Sequence, residues 1–289
     1  MRCNSDMWIS AIFSTLLLSH ATPTQAQTPP KREVSLTGEV RQHAGFESRI
    51  FGNKRNVTVY LPPNYGTETK RRYPVFYLHD GQNVFDGMTS YIPNAEWRAD
   101  EVAEALIRAG LIEPIIIVGI DNAQADRANE YLPTRNRNMG GQAAKYGDFL
   151  VEEVMPFINK TYRTKPDGKY TALGGSSFGG IITACVGMQH PTRFSKLAIV
   201  SPSVWWDNRV ILKMVAAQKS KPNQKVWIDM GTKEGPQGVP DAVALGHAYE
   251  KIGFRPGKDL WVYIDSGAEH NEPSWARRFG EILMTFFRK

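Results

Sequence analysis

Hydrophobic and polar positions along the chain fall into short blocks whose period changes from one block to the next. Residues 34–40 and 56–61 alternate, or nearly alternate, apolar with polar side chains, the period-two signature of half-exposed antiparallel strands at a sheet edge. Pro62-Pro63-Asn64-Tyr65-Gly66 stops the second of these. Residues 73–78 are a nearly continuous apolar run, expected of a strand covered on both faces, and they end in His79-Asp80-Gly81-Gln82-Asn83. A helical segment follows over 101–109, with Gly110 as its stop. Residues 113–121, built around Ile115-Ile116-Ile117-Val118, are the clearest buried strand. The stretch 122–142 is long, polar and rich in Arg, Asn and Gly, and a loop of that size is usually functional or disordered. Over 146–159 Phe149, Leu150, Val154, Phe157 and Ile158 recur at helical spacing and point to the core.

The second half repeats strand and helix. Strands are expected over 170–176, 197–200, 225–230 and 260–264, and helices over 178–189, 210–217, 239–252 and 273–287, with Gly253 as a stop. No internal repeat or low-complexity tract interrupts them. Regular alternation of this kind argues for an α/β fold: a mostly parallel central sheet, antiparallel edge strands at the N-terminal side, and helices on both faces. The loops at the carboxyl ends of the strands then gather the active groups.

At 289 residues the chain suits one large domain and is too short for two. Its start reads as a signal peptide over residues 1–26: Arg2, an apolar core over 7–18, then small residues leading to cleavage after Ala26. That apolar core is well short of the roughly 20 residues a bilayer span needs. The expectation is export to the periplasm or the exterior, a single domain over 27–289, and no stable membrane anchor. Of two cysteines, Cys3 leaves with the signal, so Cys185 has no internal partner and reads as a small buried residue. The net charge of +6 comes without a long basic run, which does not indicate nucleic-acid binding.

The candidate chemistry centres on Gly175-Ser176-Ser177-Phe178-Gly179, which satisfies G-x-S-x-G between a strand-like and a helical segment. That context is the sharp turn which lifts a serine Oγ clear of a sheet. Ser177 is therefore the candidate nucleophile, because centring the pattern on Ser176 would put Phe178 where a glycine must stand. A serine needs a histidine base and a carboxylate that fixes the imidazole's tautomer, in the chain order serine, acid, histidine. Of His190, His247 and His270, the first ends the elbow helix and the second lies within a helix. His270 alone comes from a loop after a strand. For the acid, Glu234 and Asp229 compete, with Asp265 and Glu269 behind; Glu234 is favoured because it lies just past its strand. The oxyanion donors are expected to be the Phe178 amide and that of Gly81 or Gln82. His79 and Asp80 lack the partner spacing of a metal site, and no cofactor is required. Asp80 is expected to hold its loop by hydrogen bonds and to face the substrate.

Several stretches together resemble a known family. They are Leu78-His79-Asp80-Gly81-Gln82-Asn83-Val84-Phe85-Asp86, Glu130-Tyr131-Leu132-Pro133, the glycine-rich elbow, Ser201-Pro202-Ser203-Val204-Trp205-Trp206, Gly231-Thr232-Lys233-Glu234, and His270. The ordered set, from about residue 57 onward, is similar to the putative esterase family of esterase D, the enterobactin and salmochelin trilactone esterases and the feruloyl esterases. The resemblance implies an α/β-hydrolase fold and a serine esterase with Ser177 as nucleophile, His270 as base and Glu234 in the acid's slot. Relatives often carry aspartate there, and some trilactone esterases manage with a Ser–His dyad. The ester itself, a small molecule or a carbohydrate-linked one, is not chosen by the resemblance. Adjacent Trp205 and Trp206 are placed to stack on a sugar or an aromatic acyl group. Arg135, with Arg127, Arg137, Asn129, Asn136 and Asn138, forms a polar loop suited to carboxylates, catecholates or sugar hydroxyls. The readings set against an esterase are a catalytically silent binding protein and an acyltransferase using the same residues.

Overall fold

Eight strands form one sheet in the order β1-β2-β4-β3-β5-β6-β7-β8 in the computed structural model, which describes residues 31–289. The expected signal segment lies outside the described residues. In the first half the elements are β1 (Glu39–Glu47), β2 (Lys54–Leu61), β3 (Val75–His79), α1 (Ala99–Arg108), β4 (Ile116–Ile120), α2 (Arg127–Tyr131), α3 (Ala143–Phe149) and α4 (Met155–Thr161). Then come β5 (Thr171–Ser176), α5 (Phe178–Gln189), β6 (Lys196–Val200), α6 (Trp206–Ala216), β7 (Lys225–Gly231), α7 (Gly238–Lys251), β8 (Leu260–Asp265) and α8 (Glu272–Phe287). β1 and β2 pair antiparallel, as do β2 and β4, and every other pairing is parallel. Residues 32–289 make one compact unit.

The period of two along each buried strand divides the core between the two faces of the sheet. Val75, Tyr77, Val118, Leu173, Ile199 and Ile228 point to one side, where α3, α4, α5, α6 and α7 cover them. Phe76, Leu78, Ile117, Ala172, Val200 and Trp227 point to the other, under α1 and α8. Continuous apolar runs are what a strand buried on both sides requires.

Two segments depart from the sequence expectation. The first edge strand runs over 39–47, overlapping the expected 34–40 only at its end. As an outer strand paired on one side alone it is largely exposed and tolerates the polar sequence EVRQHAGFE. Residues 33–37 instead hang by backbone N–H groups on side chains: Ser35 on Asp86 and Thr37 on Asp100. The polar stretch 122–142 is not open loop throughout, since α2 lies within it. A buried Arg55–Glu130 pair, 2.8 Å apart, ties α2 to β2. Elsewhere the boundaries shift little. α3 runs through a wide π-helical turn over Leu150–Val154 into α4, and α6 opens with Asp207, Asn208 and Arg209 at positive φ before its regular part.

Candidate active site

β5 ends at Ser176 and α5 begins at Phe178, leaving Ser177 alone at the corner with φ 61° and ψ −120°. A serine in that region is strained, and it is held by bonds on both sides. Its N–H donates to the Val200 carbonyl at 3.0 Å, and its carbonyl accepts from Gly180 and Ile181. The turn also needs small neighbours: a Cβ on Gly175 would stand 3.0 Å from the side chain of His79. The Ser177 hydroxyl lies 3.2 Å from that of Ser203.

His270 comes from the loop between β8 and α8, and its Nδ1 is 2.7 Å from Glu234 Oε2. Glu234, just past β7, is buried while the imidazole is 44% exposed. Burial alone would raise the Glu234 carboxyl, but hydrogen bonds from His270, Ser201 and the Gly231 amide outweigh it and hold the group below its ordinary value. Asp229 lies deeper. It accepts from Trp227 Nε1 at 2.8 Å and the Ser201 amide at 3.1 Å and pairs with Arg278 at 3.1 Å, so its oxygens are spent away from the imidazole. Burial, partly offset by Arg278, pushes Asp229 up to about 6. Asp265 pairs with Arg277 and Arg278, and the exposed Glu269 accepts from Asn271. His190 sits beside Asp148, and His247 is exposed on α7.

Ser177 and His270 line one cavity of about 310 Å³ with Asp80, Gln82, Asn122 and Arg127. The two loop residues expected to supply an oxyanion donor differ in placement. Gln82 faces this cavity, whereas Gly81 is buried against β4, where a Cβ would come within 2.5 Å of the backbone at Gly119. Asp80, at φ 57°, accepts from Asn122 Nδ2 and Arg127 Nε, both at 2.6 Å, and from Arg127 Nη2 at 2.8 Å. Burial opposes that charge, but Arg127 prevails and holds the carboxyl below its usual value. Asp80 thus orients the arginine that faces the cavity. Arg135 is exposed and is not among the residues lining it; of the arginines in that polar stretch, Arg127 is the one that lines it. The reason is the Asp80 carboxylate, which captures the arginine at the start of α2.

The two tryptophans also separate. Trp206 is 6% exposed and donates to Thr134 Oγ1, while Trp205 is 58% exposed and lies 6.0 Å from the Phe178 ring. Trp205 borders a neighbouring pocket of about 220 Å³ that also reaches His270. Tyr91, Glu272 and Trp275 line the cavity that holds Ser177 and His270 and escaped the sequence reading, as did Arg278 behind Glu234. For Arg278 a signal existed, because a charge set among Trp275, Phe279 and Ile282 on the apolar face of α8 needs a buried partner. Among the described residues no cluster of three or more His, Cys, Asp or Glu could hold a metal ion, and no helix is long and apolar enough to cross a membrane.

A mostly parallel sheet with this strand order and a serine on a strained strand-to-helix corner are those of an α/β-hydrolase fold, and the family it matches makes the chain a carboxylic ester hydrolase. The family model described as "Putative esterase" matches residues 48–251, and the chain belongs to that family. It is 30% identical over 207 residues to the ferri-bacillibactin esterase BesA of Bacillus subtilis, covering 66% of this chain and 64% of that one. It is 26% identical over 254 residues to an endo-1,4-beta-xylanase/feruloyl esterase of Xylanibacter ruminicola, covering 86% of this chain and 31% of the longer relative. Among solved structures, the enterobactin esterase FES of Shigella flexneri superposes with a TM-score of 0.69 at 18% identity, over 87% of this chain and 60% of that one. The BES protein of Bacillus cereus gives 0.68 at 19%, over 91% and 100%. At these identities the structures share the fold.

Proposed function

We propose that the chain is an exported serine esterase that hydrolyses its ester through Ser177, His270 and Glu234 by way of an acyl-enzyme. The observation that carries this reading is the 2.7 Å contact of His270 Nδ1 with Glu234 Oε2, in an imidazole that shares its cavity with Ser177. With Nδ1 engaged as donor, Nε2 is the nitrogen left to take a proton. In this reading the Ser177 hydroxyl leaves Ser203 and turns to the imidazole that shares its cavity. Ser177 Oγ then attacks the carbonyl carbon as Nε2 takes its proton, and the Phe178 and Gln82 amides receive the oxyanion. His270 returns the proton to the leaving alcohol, and water repeats the sequence on the acyl-enzyme to free the acid and regenerate Ser177.

The substrate classes that fit are a siderophore trilactone and a feruloyl or acetyl-sugar ester. The named activities of the relatives support the siderophore and feruloyl esters, and a polar cavity holding Arg127, Asn122 and Gln82 suits all three. Export rests on the signal pattern of residues 1–26. The test is a panel of these esters with the wild-type protein and Ser177→Ala. Loss of about 10⁴-fold or more in kcat, together with loss of fluorophosphonate labelling, is expected. Turnover undiminished in Ser177→Ala refutes the reading.

A further inference from the structure

Glu234 is held by more than its histidine. Oε1, the oxygen turned away from His270, accepts from the Gly231 amide and from the Ser201 hydroxyl, each at 2.7 Å. Ser201 Oγ in turn accepts from two donors of α8, Trp275 Nε1 at 3.0 Å and Arg278 Nη2 at 2.7 Å. A hydroxyl has one proton to give and two lone pairs to fill. Both lone pairs are taken by groups that only donate, so the proton is directed to Glu234. Ser201 is fully buried and Arg278 nearly so.

The backbone at Ser201 has φ 40°, in the left-handed region that favours glycine, yet a serine stands there. We infer that Ser201 is a positioning residue for the esterase reaction: its hydroxyl fixes Oε1 of Glu234 so that Oε2 is presented to His270 Nδ1. The inference rests on the Ser177–His270–Glu234 reading above. Arg278, 3.5 Å from Oε1, supplies positive charge behind the carboxylate, and its bond to Ser201 sets the direction of the hydroxyl proton. Asn271, next to His270, caps α8 by accepting from the Ser274 amide, so the histidine loop and the donors that orient Ser201 ride on one helix. The carboxylate and the imidazole are therefore aligned by the same rigid element.

Two variants separate positioning from simple structural support. Ser201→Gly removes the hydroxyl and suits the left-handed backbone, whereas Ser201→Ala removes it and keeps the strain. Both are expected to lower kcat by about ten- to hundred-fold with KM little changed, the worth of one hydrogen bond to a charged group. Their melting temperatures should differ in favour of glycine. In a Glu234→Ala background, adding Ser201→Gly should change kcat by no more than about two-fold, because the group it acts through is gone. Undiminished kcat in Ser201→Gly, or a full loss that persists in the Glu234→Ala background, overturns the inference. Ser177→Ala, assayed alongside, keeps the two readings apart: if it is active the esterase mechanism fails, and if it is dead while Ser201→Gly is fully active only the positioning role fails.

Discussion

The hydroxyl of Ser177 is 3.2 Å from that of Ser203, and the Ser203 amide donates to the Ser177 carbonyl at the same distance. Ser203 lies just beyond β6, the strand beside β5. The hydroxyl pair is a neutral hydrogen bond that would have to be given up for Ser177 to turn to His270 in the mechanism proposed above. Ser203→Ala is thus expected to leave kcat within about five-fold of wild type, the worth of one such bond, because the backbone contact survives. Steady-state kinetics on any accepted ester checks this. A loss of two orders of magnitude would make Ser203 part of the catalytic apparatus.

Trp205 and Trp206 are neighbours in sequence with opposite surroundings, and their alanine variants should part accordingly. Trp206 packs in the core, so Trp206→Ala should cost about 3–5 kcal/mol. Trp205 is mostly exposed beside Phe178, and Trp205→Ala should cost about 1 kcal/mol or less. Thermal melts measure both. If Trp205 forms a wall for the substrate, its variant raises KM for bulky aromatic esters while a small acetyl ester is unaffected; equal KM values for both rule out that role.

Arg127 pairs with a buried carboxylate, which complicates its removal in a predictable way. Arg127→Gln leaves Asp80 buried and short of its counter-charge, and a broken buried pair costs about 3–5 kcal/mol. Asp80→Asn together with Arg127→Gln removes both charges and should recover most of that stability. What it should not recover is KM for an anionic or polyhydroxyl ester. Chemical denaturation and kinetics on both variants separate the two effects. Full recovery of KM in the double variant would confine Arg127 to a structural role.

The parts of this architecture that repeat a period were legible in the sequence. Short β-branched apolar runs such as Ile115–Val118 fit strands covered on both faces, and the elbow combines a pentapeptide with a strand before and a helix after. A residue past the strand end reaches the loop layer, which favours Glu234 over Asp229, and the carboxylate beside His270 is that of Glu234. Illegible were choices decided by one tertiary partner. Which of Arg127, Arg135 and Arg137 turns inward depends on Asp80, some fifty residues earlier in the chain. β1 was misplaced because an edge strand facing solvent needs no apolar alternation.

His79 gives the fold an acid-sensitive point directly beneath the elbow. Its Nδ1 meets the Tyr146 hydroxyl at 3.0 Å, and its buried Nε2 has no hydrogen-bond partner among the described residues. Burial lowers the imidazole to about 3, with Asp80 opposing and Arg127 reinforcing the shift. Because the unfolded histidine titrates near 6.5, the unfolded chain binds the extra proton between about 6.5 and 3. The stability this group contributes is therefore complete above about pH 6.5 and is lost as the pH falls toward 3, by roughly 2–3 kcal/mol at pH 4.5. Asp229 and Asp121, both raised to about 6, act with the opposite sign over part of that range, so the wild-type slope alone mixes the terms. His79→Asn isolates the imidazole: it should be less stable than wild type at pH 7, through lost packing, but the gap should narrow by that amount at pH 4.5. Urea unfolding at the two pH values measures it, and a gap that stays constant would mean that native His79 takes up its proton over the same pH range as the unfolded chain, its neighbours relaxing to accept it.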